Sequence, residues 1–79
     1  MDDLRPDVEL DLRGLPCPLP TVEVSRRIGE LPEGGVLRAV TSSSGSLADL
    51  AAWARATGHE IVSARETDGD FVFLIRRTG

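Results

Sequence analysis

The sequence predicts an α/β fold: a two-layer sandwich with the element order β-α-β-α-β-β, in which a four-stranded mixed sheet carries two helices on one face. Three observations predict it. Short β-rich runs alternate with two segments of helical periodicity, the helical segments begin at Pro or Ser and end near Gly, and the last two β-rich runs are joined by a two-residue turn. Two amphipathic helices set against four strands make two layers.

The first strand and the first helix follow from periodicity. Residues 8–13 alternate apolar and charged side chains, the period of a half-buried strand, and this strand ends at Gly14. The first helix is predicted to run roughly from Pro18 to Leu31, because proline is tolerated in the first turn of a helix and apolar residues then recur at spacings of four and three.

The first helix carries charged residues at a spacing of four on its outward face. Glu23 with Arg27, and Arg26 with Glu30, are predicted to form i,i+4 ion pairs. The two arginines have a second interpretation as docking residues for an acidic partner. The pairing explains them without a partner, and both interpretations stay open at the level of sequence.

The middle of the chain predicts a strand followed by a second helix. Residues 36–41 are β-rich, and the serine hydroxyls of residues 42–46 are candidate N-caps for the helix that comes next. Gly58 is suited to the C′ position that closes this helix. Within the serine run, Ser43 and Ser44 are further candidates for contact with a partner.

The end of the chain predicts a β-hairpin. Residues 61–67 and 71–77 are β-rich, and Asp68-Gly69 between them suits a tight turn with positive φ. In the last strand, Val72 and Leu74 alternate with other apolar residues, so they would face away from the helices. That face is either a docking surface, including one for self-association, or a well-shielded central strand.

Composition bounds the function. The 79 residues suffice for one domain, assigned to residues 7–79 after a flexible tail over residues 1–6. A net charge of -4 argues against a nucleic-acid backbone as partner, and the absence of lysine excludes Schiff-base chemistry. With no apolar run of about 20 residues and an acidic, polar N-terminus, the expected location is the cytoplasm.

The unusual residues concentrate in segment 14–20, at the junction of the first strand and first helix. If Pro18 is the first helical residue, Cys17 is the N-cap, where the helix dipole can lower a thiol pKa from about 8.5 into a range of roughly 3.5 to 7.5. Pro18 and Pro20 lack an N–H, which leaves the Leu19 amide as the main nearby donor. The prolines also stiffen the turn, which favours a fixed, presented thiol.

Cys17 is the only cysteine, which excludes a dithiol oxidoreductase and a multi-cysteine zinc site within this chain. A single thiol can accept a sulfur atom from a donor persulfide and lose it to another thiolate. Arg13 either helps to hold that thiolate or is a solvated strand-end arginine. Taken on the residues alone, Cys17 could equally be a small buried apolar residue.

The run Asp11-Leu12-Arg13-Gly14-Leu15-Pro16-Cys17-Pro18-Leu19-Pro20 resembles the Cys-Pro-x-Pro signature of the TusA (SirA-like) sulfur-carrier family. The resemblance continues through the Pro-x-Gly-Gly turn, the Ala-Trp-Ala segment around Trp53, Gly58-His59 and the final hairpin, and so covers about residues 8–77. One departure is the serine run 42–44, where many members carry Asp and Pro. The loss of negative charge there bears on which partner docks.

The resemblance implies a sulfurtransferase activity in which Cys17 carries sulfur as a covalent persulfide, with no other cofactor and no metal. The implied partners are a cysteine desulfurase or another sulfur donor, and a downstream acceptor protein in tRNA thiolation, molybdenum-cofactor synthesis or other sulfur metabolism. A non-catalytic binding or regulatory module with the same fold is the alternative. His59 and Trp53 are interpreted as structural.

Overall fold

The computed structural model describes residues 6–16 and 19–78 of the chain. Within these residues the predicted order β-α-β-α-β-β is confirmed. The elements are β1 (Val8–Asp11), α1 (Leu19–Ile28), β2 (Val36–Thr41), α2 (Ser46–Thr57), β3 (Glu60–Thr67) and β4 (Asp70–Arg76).

The four strands form one mixed sheet in the order β1-β2-β4-β3. β1 pairs with β2 in parallel, whereas β4 lies between β2 and β3 and is antiparallel to both. β3 therefore runs in the same direction as β1 and β2. Each helix connects two strands of that common direction, so both helices run back against it and lie parallel to each other.

This topology gathers several chain segments at one end of the sheet. We call it the carboxyl edge, because β1, β2 and β3 all end there. It comprises the loop of residues 12–16, the loop of residues 42–45, the hairpin turn of residues 68–69 and the first turns of α1 and α2. In open α/β sheets this is the edge at which functional groups are usually presented.

The core lies between the sheet and the helices. On the sheet side, Leu37 and Ala39 of β2 pair with Ile75 and Phe73 of β4, and all four are fully buried. The helices add a buried stripe from each side, made of Pro20, Val24 and Ile28 in α1 and Ser46, Leu50 and Ala54 in α2. The spacing of four within each stripe is that of one helix face.

The first strand and helix are shorter than predicted. β1 ends at Asp11, although Leu12 is buried and its N–H still donates to Val40 O at 2.7 Å. α1 ends at Ile28 because the amides of Glu30 and Leu31 bond to carbonyls three residues back, which tightens the last turn instead of extending the helix. The predicted start at Pro18 lies outside the described residues.

The caps of α2 are partly as predicted. Gly58 closes the helix in the left-handed conformation, with φ of 85° and its N–H on Ala54 O at 2.8 Å, as predicted for a C′ glycine. The prediction of a serine N-cap was wrong, because the N-cap is Gly45 and no side chain caps the helix there. The hydroxyl of Ser46, already inside the helix, donates to Ser43 O at 2.7 Å instead.

The hairpin turn is confirmed. Asp68 and Gly69 both have positive φ, of 54° and 85°, as a tight turn between two twisted strands requires. β3 also contains a bulge, since its register against β4 shifts between Ile61 and Ser63. Because of the bulge, Ser63 and Arg65 pair with Leu74 and Val72 on the side of the sheet away from the helices.

The side of the sheet away from the helices, which we call the open face, has the apolar character that the alternation predicted. Val40, Val72 and Leu74 lie there half-buried. Beside them Arg38 on β2 reaches Glu9 on β1 at 3.3 Å. The stems of such charged side chains shield part of the apolar stripe.

The two ends of the described chain meet at the edge opposite the carboxyl edge. The Asp7 N–H donates to Val36 O at 2.7 Å, and the Asp7 carboxylate accepts from the Val36 N–H at 3.0 Å. Close by, the Arg77 N–H donates to Gly35 O and the Gly34 N–H to Arg77 O, both at 2.8 Å. Among the described helices, none has the length and apolar character needed to span a bilayer.

Candidate functional site

The loop of residues 12–16 leads from β1 towards Cys17 and is held at two points. Leu12 continues the parallel ladder through its bond to Val40 O, and the Leu15 N–H folds back onto Leu12 O at 3.3 Å. Between them Gly14 has φ of 87°, a conformation that favours glycine. The Gly14 N–H donates to the Ser42 hydroxyl at 2.8 Å, which ties this loop to the loop before α2.

Cys17 and Pro18 lie outside the described residues, so the predicted N-cap position of the thiol is not tested. The residues on either side are described. The Leu19 N–H donates to Pro16 O at 2.9 Å, an i to i+3 hydrogen bond that brings the two flanks together. The Leu19 amide was predicted to be the main donor near the sulfur. The structure shows this N–H donating to Pro16 O, and its contact with the Cys17 sulfur stays a prediction.

The first turn of α1 is anchored in the core. Pro20 is fully buried, and Val24 lies one turn further along the same stripe. Pro20 therefore fixes the start of α1 by packing as well as by its restricted φ. Leu19 in contrast is 43% exposed, so the side of the first turn away from the core is open to a partner.

Arg13 is held by two carboxylates. Its guanidinium makes two 2.8 Å hydrogen bonds to Asp11 on the same chain segment and lies 3.6 Å from the Asp70 carboxylate at the start of β4. The Arg13 hydrogen bonds lower the pKa of Asp11 to about 2, and the Asp11 carboxylate in turn raises the pKa of Arg13 above its ordinary value. Arg13 thus joins the loop to the hairpin, a role that neither interpretation from sequence included.

The serine run is brought next to the cysteine loop. Ser42 contacts Gly14 directly, whereas the carbonyl of Ser43 accepts from the Ser46 N–H at 3.1 Å and from its hydroxyl at 2.7 Å. Thr41 completes this set, with its buried hydroxyl 2.6 Å from the Ser46 hydroxyl. Ser44 is exposed. Of the two predicted docking serines, the Ser43 carbonyl supports the loop and Ser44 is on the surface of the carboxyl edge.

The structure does not bring Arg26 and Arg27 to this edge. Both are in the last turn of α1, about 11 to 12 Å along the helix axis from Leu19 at 1.5 Å per residue. Their ion pairs also differ from the prediction, since Arg26 pairs with Glu23 at 3.4 Å and Arg27 with Glu30 at 3.2 Å, both at a spacing of three. These surface pairs explain the two arginines without a partner.

His59 and Trp53 are far from the carboxyl edge, at the other end of α2. Their ring centroids are 5.4 Å apart, and the Thr78 N–H donates to His59 Nδ1 at 3.2 Å. Trp53 packs against the core from its margin. Both residues secure the C-terminal end of α2, as the sequence predicted for structural residues.

The sequence did not predict two contacts of the site, those of Asp70 with Arg13 and of Ser42 with Gly14. Asp70 is distant from Arg13 in the chain, and only the folding of the hairpin turn back to the carboxyl edge brings them together. The link between Ser42 and Gly14 joins residues 28 apart and has no local signal. The pairing of Asp11 with Arg13 could have been found, because residues two apart in a strand point to the same face.

The chain is similar to known proteins over nearly its whole length. A family model described as Sulfurtransferase TusA matches residues 8–77. The sulfur carrier protein TusA of Allochromatium vinosum is 38% identical over 72 residues, which are 91% of this chain and 95% of that protein. The putative sulfur carrier protein YrkF of Bacillus subtilis is also 38% identical, over 96% of this chain but only 40% of that longer protein.

Among solved structures, the SirA-like protein of Desulfitobacterium hafniense matches with a TM-score of 0.80 and 26% identity, over 91% of this chain and 99% of that one. The four-stranded mixed sheet with two helices is thus the fold of SirA-like domains. With the family model covering nearly the whole described chain, the protein belongs to the TusA family.

Proposed function

We propose that the protein is a sulfur carrier that accepts sulfur as a persulfide on Cys17 and passes it to an acceptor protein. The observation that carries the proposal is the position of the loop before Cys17 in a TusA-family domain. That loop is fixed at the carboxyl edge by the hydrogen bond from Gly14 to Ser42 and by the ion pairs of Arg13. Relatives of high similarity are named sulfur carrier proteins.

The transfer consists of two balanced exchange steps. In the first, the Cys17 thiolate attacks the outer sulfur of a donor persulfide, the donor S–S bond breaks, and the donor leaves as a thiolate. In the second, an acceptor thiolate attacks the outer sulfur of the Cys17 persulfide, and Cys17 leaves as a thiolate. Each step forms one S–S bond and breaks one, so no external oxidant or reductant is needed.

Two features of the chain support this chemistry: the start of a helix close to Cys17 and the absence of a second cysteine. Cys17 precedes Leu19, the first described residue of α1, by two positions. The positive end of a helix dipole favours a thiolate over a thiol. The sequence holds no second cysteine, so an intramolecular disulfide cannot discharge the persulfide. The hydrogen bond from the Leu19 N–H to Pro16 O fixes the two residues that flank Cys17 and Pro18.

The donor in this proposal is a cysteine desulfurase, and the acceptor is a protein of tRNA thiolation, molybdenum-cofactor synthesis or another sulfur pathway. A donor and an acceptor are both required, because the carrier itself neither produces sulfane sulfur nor consumes it. The carboxyl edge presents the loop on the outside of the domain, where another protein can reach it.

The test is intact-mass spectrometry after incubation with a cysteine desulfurase and cysteine, with the Cys17→Ser variant in parallel. The wild-type protein is expected to gain the mass of one sulfur atom, reversibly on reduction, and the variant is expected to gain none. Folding of the variant is checked by circular dichroism. A variant that still gains sulfur, or a wild type that never does with desulfurase or small persulfides, would contradict the proposal and favour a binding module.

A further inference from the structure

One row of side chains on the open face crosses all four strands. The registers of the three strand pairs place its members side by side, in the order Asp11 on β1, Val40 on β2, Val72 on β4 and Arg65 on β3. Neighbouring strands in a sheet lie about 4.8 Å apart. The row is therefore continuous, with a carboxylate at one end, a guanidinium at the other and two half-buried valines between them.

The charges at the two ends of this row are not balanced within the molecule. At the β1 end, the carboxylates of Asp11 and Asp70 share the guanidinium of Arg13. At the β3 end, Arg65 is exposed and forms no ion pair with any residue that the structure describes, whereas Arg38 on the same face is paired with a glutamate of β1. One end thus has carboxylate in excess, and the other has a guanidinium without a partner.

An open hollow of about 450 Å³ lies on this face beside the acidic end of the row. Four carboxylates and two guanidinium groups line it, namely Glu9, Asp11, Asp68 and Asp70 with Arg13 and Arg38. Val40 and Val72 also line the hollow, and Arg65 does not. The hollow is therefore net negative, and a further guanidinium that entered it would meet carboxylate in excess.

Two copies of the chain, stacked face to face about a two-fold axis parallel to the strands, bring the complementary parts of the open face together. β1 of each copy then lies opposite β3 of the other, so Arg65 faces Asp11 and the hollow beside it. At the centre of the row Val40 faces Val72, and symmetry repeats every contact. A two-fold axis across the strands would instead set β1 opposite β1, with the carboxylates of Glu9 and Asp11 on both sides. The charges therefore favour the first arrangement.

We propose that the open face binds a second copy of this chain, with Arg65 of each copy paired to Asp11 of the other and the valines of the two rows packed between them. The inference does not depend on sulfur transfer. Aligned sheets pack in this way about 10 Å apart. The face is four strands or about 20 Å wide, which is small for an interface, so association is reversible with a dissociation constant on the order of 0.1 to 1 mM.

The dimer leaves the cysteine loops free. Because the two-fold axis runs along the strands, the carboxyl edges of both copies point in the same direction. The two β1 strands lie on opposite sides of the interface, three strand spacings or about 14 Å apart across the sheets. The loops of residues 12–16 that follow β1 are therefore separated, and the helices form the outer layers. Both loops stay accessible to other proteins while the open faces are covered.

The test is sedimentation equilibrium at protein concentrations from about 0.02 to 1 mM, a range that brackets the expected dissociation constant. A reducing agent is present, so that no Cys17 disulfide links two copies. Arg65→Asp gives the row a carboxylate at both ends, and Asp11→Arg gives it a guanidinium at both ends. Arg55→Asp makes the same charge change on the exposed surface of α2 and is the matched control. Circular dichroism shows whether each variant is folded.

The wild type and Arg55→Asp are expected to dimerise with the same dissociation constant. Arg65→Asp and Asp11→Arg should each weaken self-association about tenfold or more, because a change at a two-fold interface counts twice and sets like charges opposite each other. An equimolar mixture of these two variants should associate again. In that mixture, the carboxylates of one variant lie opposite the guanidinium groups of the other at both ends of the row.

A wild type that is monomeric at about 1 mM overturns the proposal. Dimerisation that Arg65→Asp weakens no more than Arg55→Asp does also overturns it, since another surface then carries the contact, and so does a mixture of the two folded variants that stays monomeric. If Asp11→Arg does not fold, amide chemical shifts of the wild type replace the mixture. Shifts that change with concentration should then cluster at Val40, Val72 and Arg65, and changes confined to the helices contradict the interface.

Discussion

Replacing Ser42 by Ala should loosen the loop before Cys17 without unfolding the domain. The Ser42 hydroxyl accepts the Gly14 N–H at 2.8 Å, and this is the contact that joins the two loops of the carboxyl edge. A hydrogen bond of this kind contributes about 0.5 to 1.5 kcal/mol net. Ser42 is exposed, so in the variant water can replace the lost hydroxyl as an acceptor, and the low half of that range applies.

A loss of about 0.5 to 1 kcal/mol corresponds to roughly a two- to fivefold increase in the open population of the loop. The assay is amide hydrogen exchange by NMR at Gly14, where protection should fall by that factor. Leu12 should keep its protection, because its N–H bonds to the carbonyl of Val40 in the sheet. Ser44→Ala is the matched control, since this neighbouring serine is also exposed.

Equal protection of Gly14 in the wild type and in Ser42→Ala would refute the reasoning, because it would show that the hydroxyl does not restrain the loop. A uniform loss of protection across β1 and β2 would refute it in another way. That result would show that Ser42 contributes to the stability of the whole sheet and does not act on the loop alone.

Three further predictions concern the fold and its charges. The pKa of the Asp11 carboxyl, measured by NMR titration, should be about 2 instead of 3.8. The ion pair of Asp11 with Arg13 therefore contributes fully to stability above about pH 4, and this contribution is lost as the pH falls towards 2. Arg13→Gln should return the pKa of Asp11 to its ordinary value. Phe73→Ala should reduce the free energy of unfolding in urea by about 3 to 5 kcal/mol, because Phe73 is fully buried, whereas Val72→Ala on the open face should cost less than half as much. Gly58→Ala should destabilise the fold by about 1 kcal/mol and so lower the midpoint temperature of thermal unfolding, because φ of 85° strains any residue with a Cβ. An unchanged midpoint would contradict the left-handed conformation of Gly58.

Local sequence signals predicted the elements of the fold well and their ends less well. Residues 36–41 and the Asp68-Gly69 turn were located correctly, since strand periodicity and positive-φ turn residues act locally. The first helix was placed three residues too long at its C-terminal end. Its apolar period continues to Leu31, which is buried, but the backbone there has already tightened into an i to i+3 turn.

The candidate site shows the same division. The sequence predicted a site at the segment around Cys17 with Arg13 nearby, but it assigned Arg13 no partner and did not predict the acceptor of the Leu19 N–H. Asp70 of the hairpin forms an ion pair with Arg13, and the Pro16 carbonyl accepts the hydrogen bond from the Leu19 N–H. The first contact depends on the topology of the whole sheet, and the second on the geometry of one turn. Neither leaves a periodic signal.

The meeting of the two chain ends beside residues 34–36 has a consequence for how such a domain can be combined with others. A segment joined at either end of the described chain would leave from the edge opposite the cysteine loop, so it would not cover that loop. Both ends could be extended at once, because each is anchored by its own backbone hydrogen bonds. The geometry suits a module that is linked to further domains while its cysteine loop stays accessible.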